Sequence, residues 1–319
     1  MAGKVPTNGL NHGIPFFTGD TGSIYTHDVS GTDSTAQYNT AYGLTAMDAI
    51  TTGDQNTSIG YGAGGANQTG AEQVNIGYQA GLVCTSSGNV LIGKDAGLSI
   101  TSGEADIHIG VRAGDGYDTE SHNLSIGVDA LGGSVAGGEY NIAIGNFALD
   151  ALTSGDYNTA LGYAAGTDLT TGDRNTFIGH EAGKDCIGGG QNVAIGDAAG
   201  SGALSTAAGR NVMIGRNAGQ NLTSGDSNVF IGFETGVNSI AVDTGTDNIL
   251  IGNQARANQT NAANQISLGT QVTCQGDNNF TFGNGATDSN IVFGATSITA
   301  PSDERYKEEI ATSTAGLSF

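Results

Sequence analysis

Apolar and polar residues alternate in short bursts along this chain, and the bursts themselves recur. Ahead of Gly179, Thr176 and Ile178 share one face of an extended segment while Phe177 takes the other; Val193, Ala194 and Ile195 repeat the arrangement ahead of Gly196. A period of two predicts a strand. The second face is not simply polar, because Ala160, Phe177, Ala194, Met213, Phe230 and Leu250 occur there beside Ser58, Ser125 and Ser267. A strand apolar on both faces is covered on both, and a thin coil has only one interior to offer, so the second face calls for a partner.

Aligned on the glycine that closes each burst, sixteen copies run Gly43, Gly60, Gly77, Gly93, Gly110, Gly127, Gly145, Gly162, Gly179, Gly196, Gly215, Gly232, Gly252, Gly269, Gly283 and Gly294. From Gly43 to Gly269 the interval is usually 17 residues, with outliers of 16, 18, 19 and 20. Four residues before the glycine stands Asn in thirteen copies, replaced by Gln73, Asp106 and Gln265 in the others; three residues after it stands Ala in thirteen. The repeat N-x-x-I-G-x-x-A-G is a structural period.

Seventeen residues suffice for one solenoid turn of two short strands and two corners. The expected fold is therefore all-β, a parallel β-roll or β-solenoid of about 16 coils stacked at ~4.8 Å, a rod on the order of 70 Å long. In such a stack Asn lies over Asn in an amide ladder and Ile over Ile fills the interior. Glycine supplies the positive φ of a sharp corner. The TSGD and TTGD pieces read as turns, with Asp54, Asp156, Asp173 and Asp226 capping local backbone amides on a solvated rim. Calcium bridging these acids is the alternative, and the nonapeptide of calcium-loaded β-rolls, which would favour it, does not occur.

Composition narrows the picture further. The chain has 319 residues with 54 Gly, 3 Pro, no Trp and 20 Phe plus Tyr, a poor recipe for a thick core and a better one for an elongated shape. No G-X-Y register persists, so the glycine is not collagenous. Ten Lys plus Arg against thirty-one Asp plus Glu give a net charge of −21, which repels nucleic acid and anionic lipid. Cys84, Cys186 and Cys274 are scattered without C-x-x-C spacing and read as reduced thiols, neither zinc ligands nor a disulfide framework. The start, MAGKVPTNGLNHG, has no apolar signal core, and no run approaches eighteen apolar residues, so folding in a cytoplasm is expected.

Other motifs are absorbed by the repeat. GYGAGG from Gly60 to Gly65 matches a dinucleotide fingerprint, but that motif needs a following helix and here the next coil begins at once. His12, His27, His108, His122 and His180 form no metal-ligand pair and read as surface or seam residues. Asn67-Gln68-Thr69 and Asn258-Gln259-Thr260 read as turns, and no insertion is long enough for a glycan-cutting cleft. No cofactor is expected.

The repeat resembles the head repeats of YadA-like trimeric adhesins. That resemblance covers about Asn39 to Gly269 and implies left-handed parallel β-rolls, three chains packed about an axis, with the position before Ile (Ala160, Phe177, Met213) as the trimer seam. Near the end, PSDERYKEEI from Pro301 is similar to the opening S-D-x-R-x-K of the intramolecular chaperone of phage tail fibres and endosialidases. The similarity implies trimerisation followed by self-cleavage between Pro301 and Ser302, with Ser302 as nucleophile and Lys307 as its base. Only twelve residues follow Lys307, so autocleavage is not expected from this piece. Read for local structure alone, Ser302 is a helix N-cap with Asp303 and Glu304 in the first turn.

Four segments are expected: residues 1–36 attaching to other virion tail proteins, a β-roll shaft over 37–269, a tapering trimeric β stem or tip over 270–301, and the start of the chaperone at 302–319. The taper follows from intervals of 14 and 11 residues and from Phe282 and Phe293 at the key position. Together these imply a non-enzymatic homotrimeric phage tail or side fibre shaft, assembled in the host cytoplasm, that contacts a host surface glycan or protein receptor. A bacterial trimeric surface adhesin or filament subunit built on the same roll is the alternative.

Overall fold

The computed structural model describes residues 17–18, 22–26, 35–116, 118–133, 138–202, 204, 208–237 and 242–295. Within them β1 (Phe17–Thr18) and β2 (Ile24–Tyr25) form an antiparallel pair. Thirteen three-residue strands follow: β3 (Thr40–Tyr42), β4 (Thr57–Ile59), β5 (Val74–Ile76), β6 (Val90–Ile92), β7 (Ile107–Ile109), β8 (Leu124–Ile126), β9 (Ile142–Ile144), β10 (Thr159–Leu161), β11 (Thr176–Ile178), β12 (Val193–Ile195), β13 (Val212–Ile214), β14 (Val229–Ile231) and β15 (Ile249–Ile251). Then come β16 (Gln265–Gly269), β17 (Asn279–Gly283) and β18 (Ser289–Val292). From β2 to β17 each strand pairs in parallel with its successor, so that Thr159 lies beside Thr176 and Ala160 beside Phe177. The fold is an all-β parallel solenoid with coils of about 17 residues.

Each coil carries one strand, not the expected two. The return path holds residues in the left-handed region, Ala164 at φ 53° and Gly166 at φ 61°, which no extended strand contains. Its backbone still bonds coil to coil, Ala164 N–H donating to Asn146 O and Gly166 N–H to Ala182 O, both at 2.9 Å. Gly162, closing its strand at φ 144°, has a second constraint: an added Cβ would land on the carbonyl of Gly179 in the next coil.

The strand faces are the reverse of the expected ones. The central residues Ala160, Phe177, Ala194, Met213, Phe230 and Leu250 are each 0% exposed, whereas Leu161 is 45% exposed and Ile142 and Ile59 are both 38% exposed. Parity is the reason. Asn158 must point inward to reach the carbonyl of Gly172 in the following coil, its Nδ2 donating at 2.8 Å. Ala160, two residues on, therefore points inward as well, and Thr159 and Leu161 point out.

The interior is filled by these central residues, by the small residue three positions past the glycine of coils β3 to β16, alanine in all but Thr235 and Val272, and by a leucine column including Leu152, Leu169 and Leu222. Two buried clusters result, one from Tyr25 to Ile50 and one from Ala80 to Ala262. Polar side chains of the intervening coils, Ser58, Gln73 and Asn75, lie buried between them. At the far end β18 turns back antiparallel on β17, setting Phe280 opposite Ile291. The sixteenth copy, at Gly294, thus belongs to a hairpin and not to another coil.

Candidate functional site

The outward strand face is the surface that the fold leaves uncovered within one chain. Every coil from β4 to β16 contributes two residues to it, as in Val74 and Ile76, Ile107 and Ile109, Leu124 and Ile126, or Val229 and Ile231. Parallel register keeps like over like, so the column from Ile59 to Leu268 is aliphatic in every coil, and the parallel column is Val, Ile or Leu except at Thr57, Thr159 and Thr176. At ~4.8 Å per coil and about 10 Å of width, thirteen coils present a strip on the order of 600 Å². Monomeric proteins rarely expose an apolar patch beyond that size.

Both margins of the strip are polar and aromatic. On one, His122, Tyr140 and Tyr157 stack with ring centroids 4.8 and 5.1 Å apart, and the Arg174 guanidinium lies 5.3 Å over the Tyr157 ring. On the other, Tyr61 stacks on Tyr78 at 5.4 Å and Tyr163 on His180 at 5.5 Å, with His180 Nδ1 3.0 Å from Asp197 Oδ1. An apolar centre with a rim rich in Tyr and Arg is the anatomy of a protein–protein contact.

Inside the coils the asparagine ladder runs as expected, with more bonds than amide–amide exchange alone. Asn141 Oδ1 accepts from both the backbone N–H and the Nδ2 of Asn158, at 2.9 and 3.1 Å, and the same pattern links Asn158 to Asn175 and Asn175 to Asn192. Each Nδ2 also donates to a carbonyl of the following coil, Asn175 to Gly189 at 2.8 Å. Every buried polar atom of these side chains is thereby engaged.

Asp106 interrupts this ladder. Its backbone N–H donates to Asn89 Oδ1 and its Oδ1 accepts from Asn123 N–H, both at 2.8 Å, but its buried Oδ2 has no partner among the described groups. Oδ2 and the Glu120 carbonyl crowd the same face of Gly103, where neighbouring coils place an amide donor against a carbonyl. Burial pushes the Asp106 carboxyl up to about 7, opposed by the hydrogen bond from Asn123 and reinforced by the charges of Glu120 and Glu139. Two residues on, His108 lies in the interior column between Leu91 and Ser125, its Nδ1 2.7 Å from Ser125 Oγ, and burial lowers it to about 3. His108 is therefore an interior residue, not the surface or seam residue expected.

The corner aspartates act across coils, not locally. Asp54 Oδ1 accepts from Gln37 N–H at 2.7 Å, Asp156 from Glu139 N–H and Asp173 from Asp156 N–H at 2.9 Å, each reaching one coil back. Asp226 pairs with Arg210, which holds its carboxyl below the usual range. These carboxylates are occupied with backbone and arginine, and among the described residues no group of three or more His, Cys, Asp or Glu is arranged to hold a metal ion. Cys84, Cys186 and Cys274 are free and buried, and burial pushes the Cys186 thiol up to about 12. Asn67 closes a turn with Gly70, donating to its carbonyl and accepting from its N–H.

Ser302 and Lys307 lie outside the described residues, as do His12, His27 and most of the segment 1–36. The functional features that sequence reasoning missed are the outward aliphatic strip and the buried pair Asp106 and His108. Asp106 had announced itself as an exception to the Asn column; His108 carried no such signal. No family model, curated protein or solved structure matches the chain.

Proposed function

We propose that this chain is the shaft of a homotrimeric fibre, of the phage tail or side-fibre kind, acting as a rigid spacer and binder without catalytic turnover. The aliphatic strip carries this reading: on the order of 600 Å² before its aromatic rims are counted, it is comparable with the roughly 800 Å² per partner of a standard interface, and leaving it in water forgoes that burial. The seam lies on the column pairs such as Ile142 and Ile144, in place of the central residues Ala160, Phe177 and Met213, which are spent on the roll interior.

The number three, the virion as location, attachment to tail proteins through residues 1–36 and self-cleavage through Ser302 and Lys307 rest on the sequence resemblance. Rigidity comes from the continuous backbone and asparagine ladders, and three copies of a weak receptor site on one rod raise effective affinity without new contacts. The net charge of −21 keeps neighbouring fibres apart. A bacterial trimeric adhesin shares the roll, and the same repeat supports it.

Light scattering on the purified chain tests the proposal. The expected mass is three times 31.9 kDa. Ile144→Asp combined with Ile178→Asp, both on the strip, is expected to yield folded monomer. A wild-type monomer, or a trimer indifferent to both charges, would overturn it.

A further inference from the structure

The coil of Asp106 and His108 holds two buried titratable groups that a passive shaft does not require. The ladder defines what Asp106 must supply. Asn89 Nδ2 donates to Gly103 O at 2.8 Å, Asn123 Nδ2 to Gly138 O at 3.1 Å and Asn141 Nδ2 to Gly155 O at 2.9 Å; the corresponding carbonyl for Asp106 belongs to Glu120. A carboxylate oxygen facing a carbonyl oxygen sets two acceptors together with no proton between them. A carboxylic acid places its O–H where the other members place N–H. The surrounding charges agree: Glu120, whose Oε2 accepts the backbone N–H of Asp118 and Thr119, and Glu139 both oppose a further negative charge here.

His108 sits in a column one residue wide, stacked against Leu91 on one side and Ser125 on the other, and is 0% exposed. An imidazolium there would surrender its hydration between two uncharged neighbours, Leu91 and Ser125. The neutral ring accepts or donates toward Ser125 Oγ at 2.7 Å at no such cost.

We propose that Asp106 and His108 form a proton-balanced pair: both are neutral in the closed coil, and when the coil opens the aspartic acid releases a proton while the histidine takes one up. The balance makes local opening insensitive to pH over the range in which both exchanges occur. For Asp106, whose carboxyl is raised in the folded chain from its ordinary 3.8 to about 7, opening becomes easier as pH rises through that window. For His108, lowered from 6.5 to about 3, opening becomes easier as pH falls through its own window. The two windows overlap between about pH 4 and 6.5, and there the opposing slopes cancel.

Hydrogen exchange of the whole chain, followed by mass spectrometry on peptides spanning residues 86–125 and corrected for intrinsic rates, reads this directly. In the wild type the opening constant is expected to stay within about threefold from pH 4 to 6.5. Asp106→Asn, which completes the ladder, leaves the histidine alone, and opening should rise about tenfold for each unit of acidification. His108→Leu, matching Leu91 in the preceding coil, leaves the acid alone, and opening should rise about tenfold for each unit toward pH 7. The double variant should again be flat, and peptides covering 158–192 serve as the internal control. A tenfold-per-unit slope in the wild type, or no slope in either single variant, would overturn the proposal. Should His108→Leu fail to fold, the ¹⁵N shifts of His108 in the wild type decide: a ring neutral down to about pH 4 supports the pair, and protonation near 6.5 overturns it.

Discussion

Two stretches of the solenoid share one backbone and differ in what they bury. From Asn141 to Asn248 the ladder is asparagine at every rung, and the strand-centre column reads Ala143, Ala160, Phe177, Ala194, Met213, Phe230 and Leu250. From Asn56 to Asn123 the rungs include Gln73 and Asp106, and the same column reads Ser58, Asn75, Leu91, His108 and Ser125. The first stretch satisfies its amides and packs apolar volume; the second leaves Asn75 Oδ1 and Asp106 Oδ2 buried without partners among the described groups and contains, at Ser58, Gln73 and Asn75, the polar break between the two hydrophobic clusters. Strand pairing is the same in both. Hydrogen-bonded register therefore sets the shape of a solenoid, while local stability is set coil by coil by what fills the narrow interior.

Substitutions can break or sharpen this contrast. The largest effect is expected from Phe177→Ala, which empties the centre of the regular stretch, where the ring packs on Gly166 and Gly183; it should cost about 3–5 kcal/mol in urea unfolding. Asn158→Ala removes both an acceptor and a donor from the middle of the ladder, leaving Asn175 N–H and the Gly172 carbonyl without their partners, and should cost about 2–3 kcal/mol. Asp106→Asn runs the other way and is expected to stabilise the irregular stretch by about 1–3 kcal/mol at pH 7. Because the raised carboxyl stabilises the fold only while it is protonated, that gain should shrink as pH falls toward 4 in thermal melts taken at each pH. The smallest change should follow Tyr157→Ala, which removes an exposed stack between Tyr140 and Arg174 and should cost about 0.5 kcal/mol.

Much of this architecture was legible in the sequence, because a solenoid writes its geometry as a period. The interval, the strand position, the amide ladder and the glycine at each strand end all follow from the repeated N-x-x-I-G. The facing of the strand was misread for a physical reason. Isoleucine is the more apolar residue and reads as interior, but three-residue strands admit one inward side chain, and the asparagine two positions earlier has already chosen the side. A buried amide that must reach a carbonyl of the next coil outvotes a methyl group that prefers to leave water. The corner aspartates were read as local caps because a single coil shows only its own amides; their acceptors serve Gln37, Glu139 and Asp156, one coil back, which only stacking brings near. His108 was opaque because a lone histidine has the same appearance in a loop, on a surface or in a core. The face of the strip, by contrast, could have been assigned from Asn parity alone.

The hairpins at the two ends have a consequence for how such rods behave in a crowd. A stack of parallel rungs is a template wherever a rung is left unpaired, since it offers amides and carbonyls to any chain that arrives in the same direction. Among the described residues, the first and last pairings of the stack, β1 on β2 and β18 on β17, are both antiparallel, so a newcomer there meets a strand running the wrong way for the spiral to continue. An arriving parallel rung finds no edge of its own direction on either hairpin, so pairing of another copy through β1 or β18 would need the reversed strand to give way first.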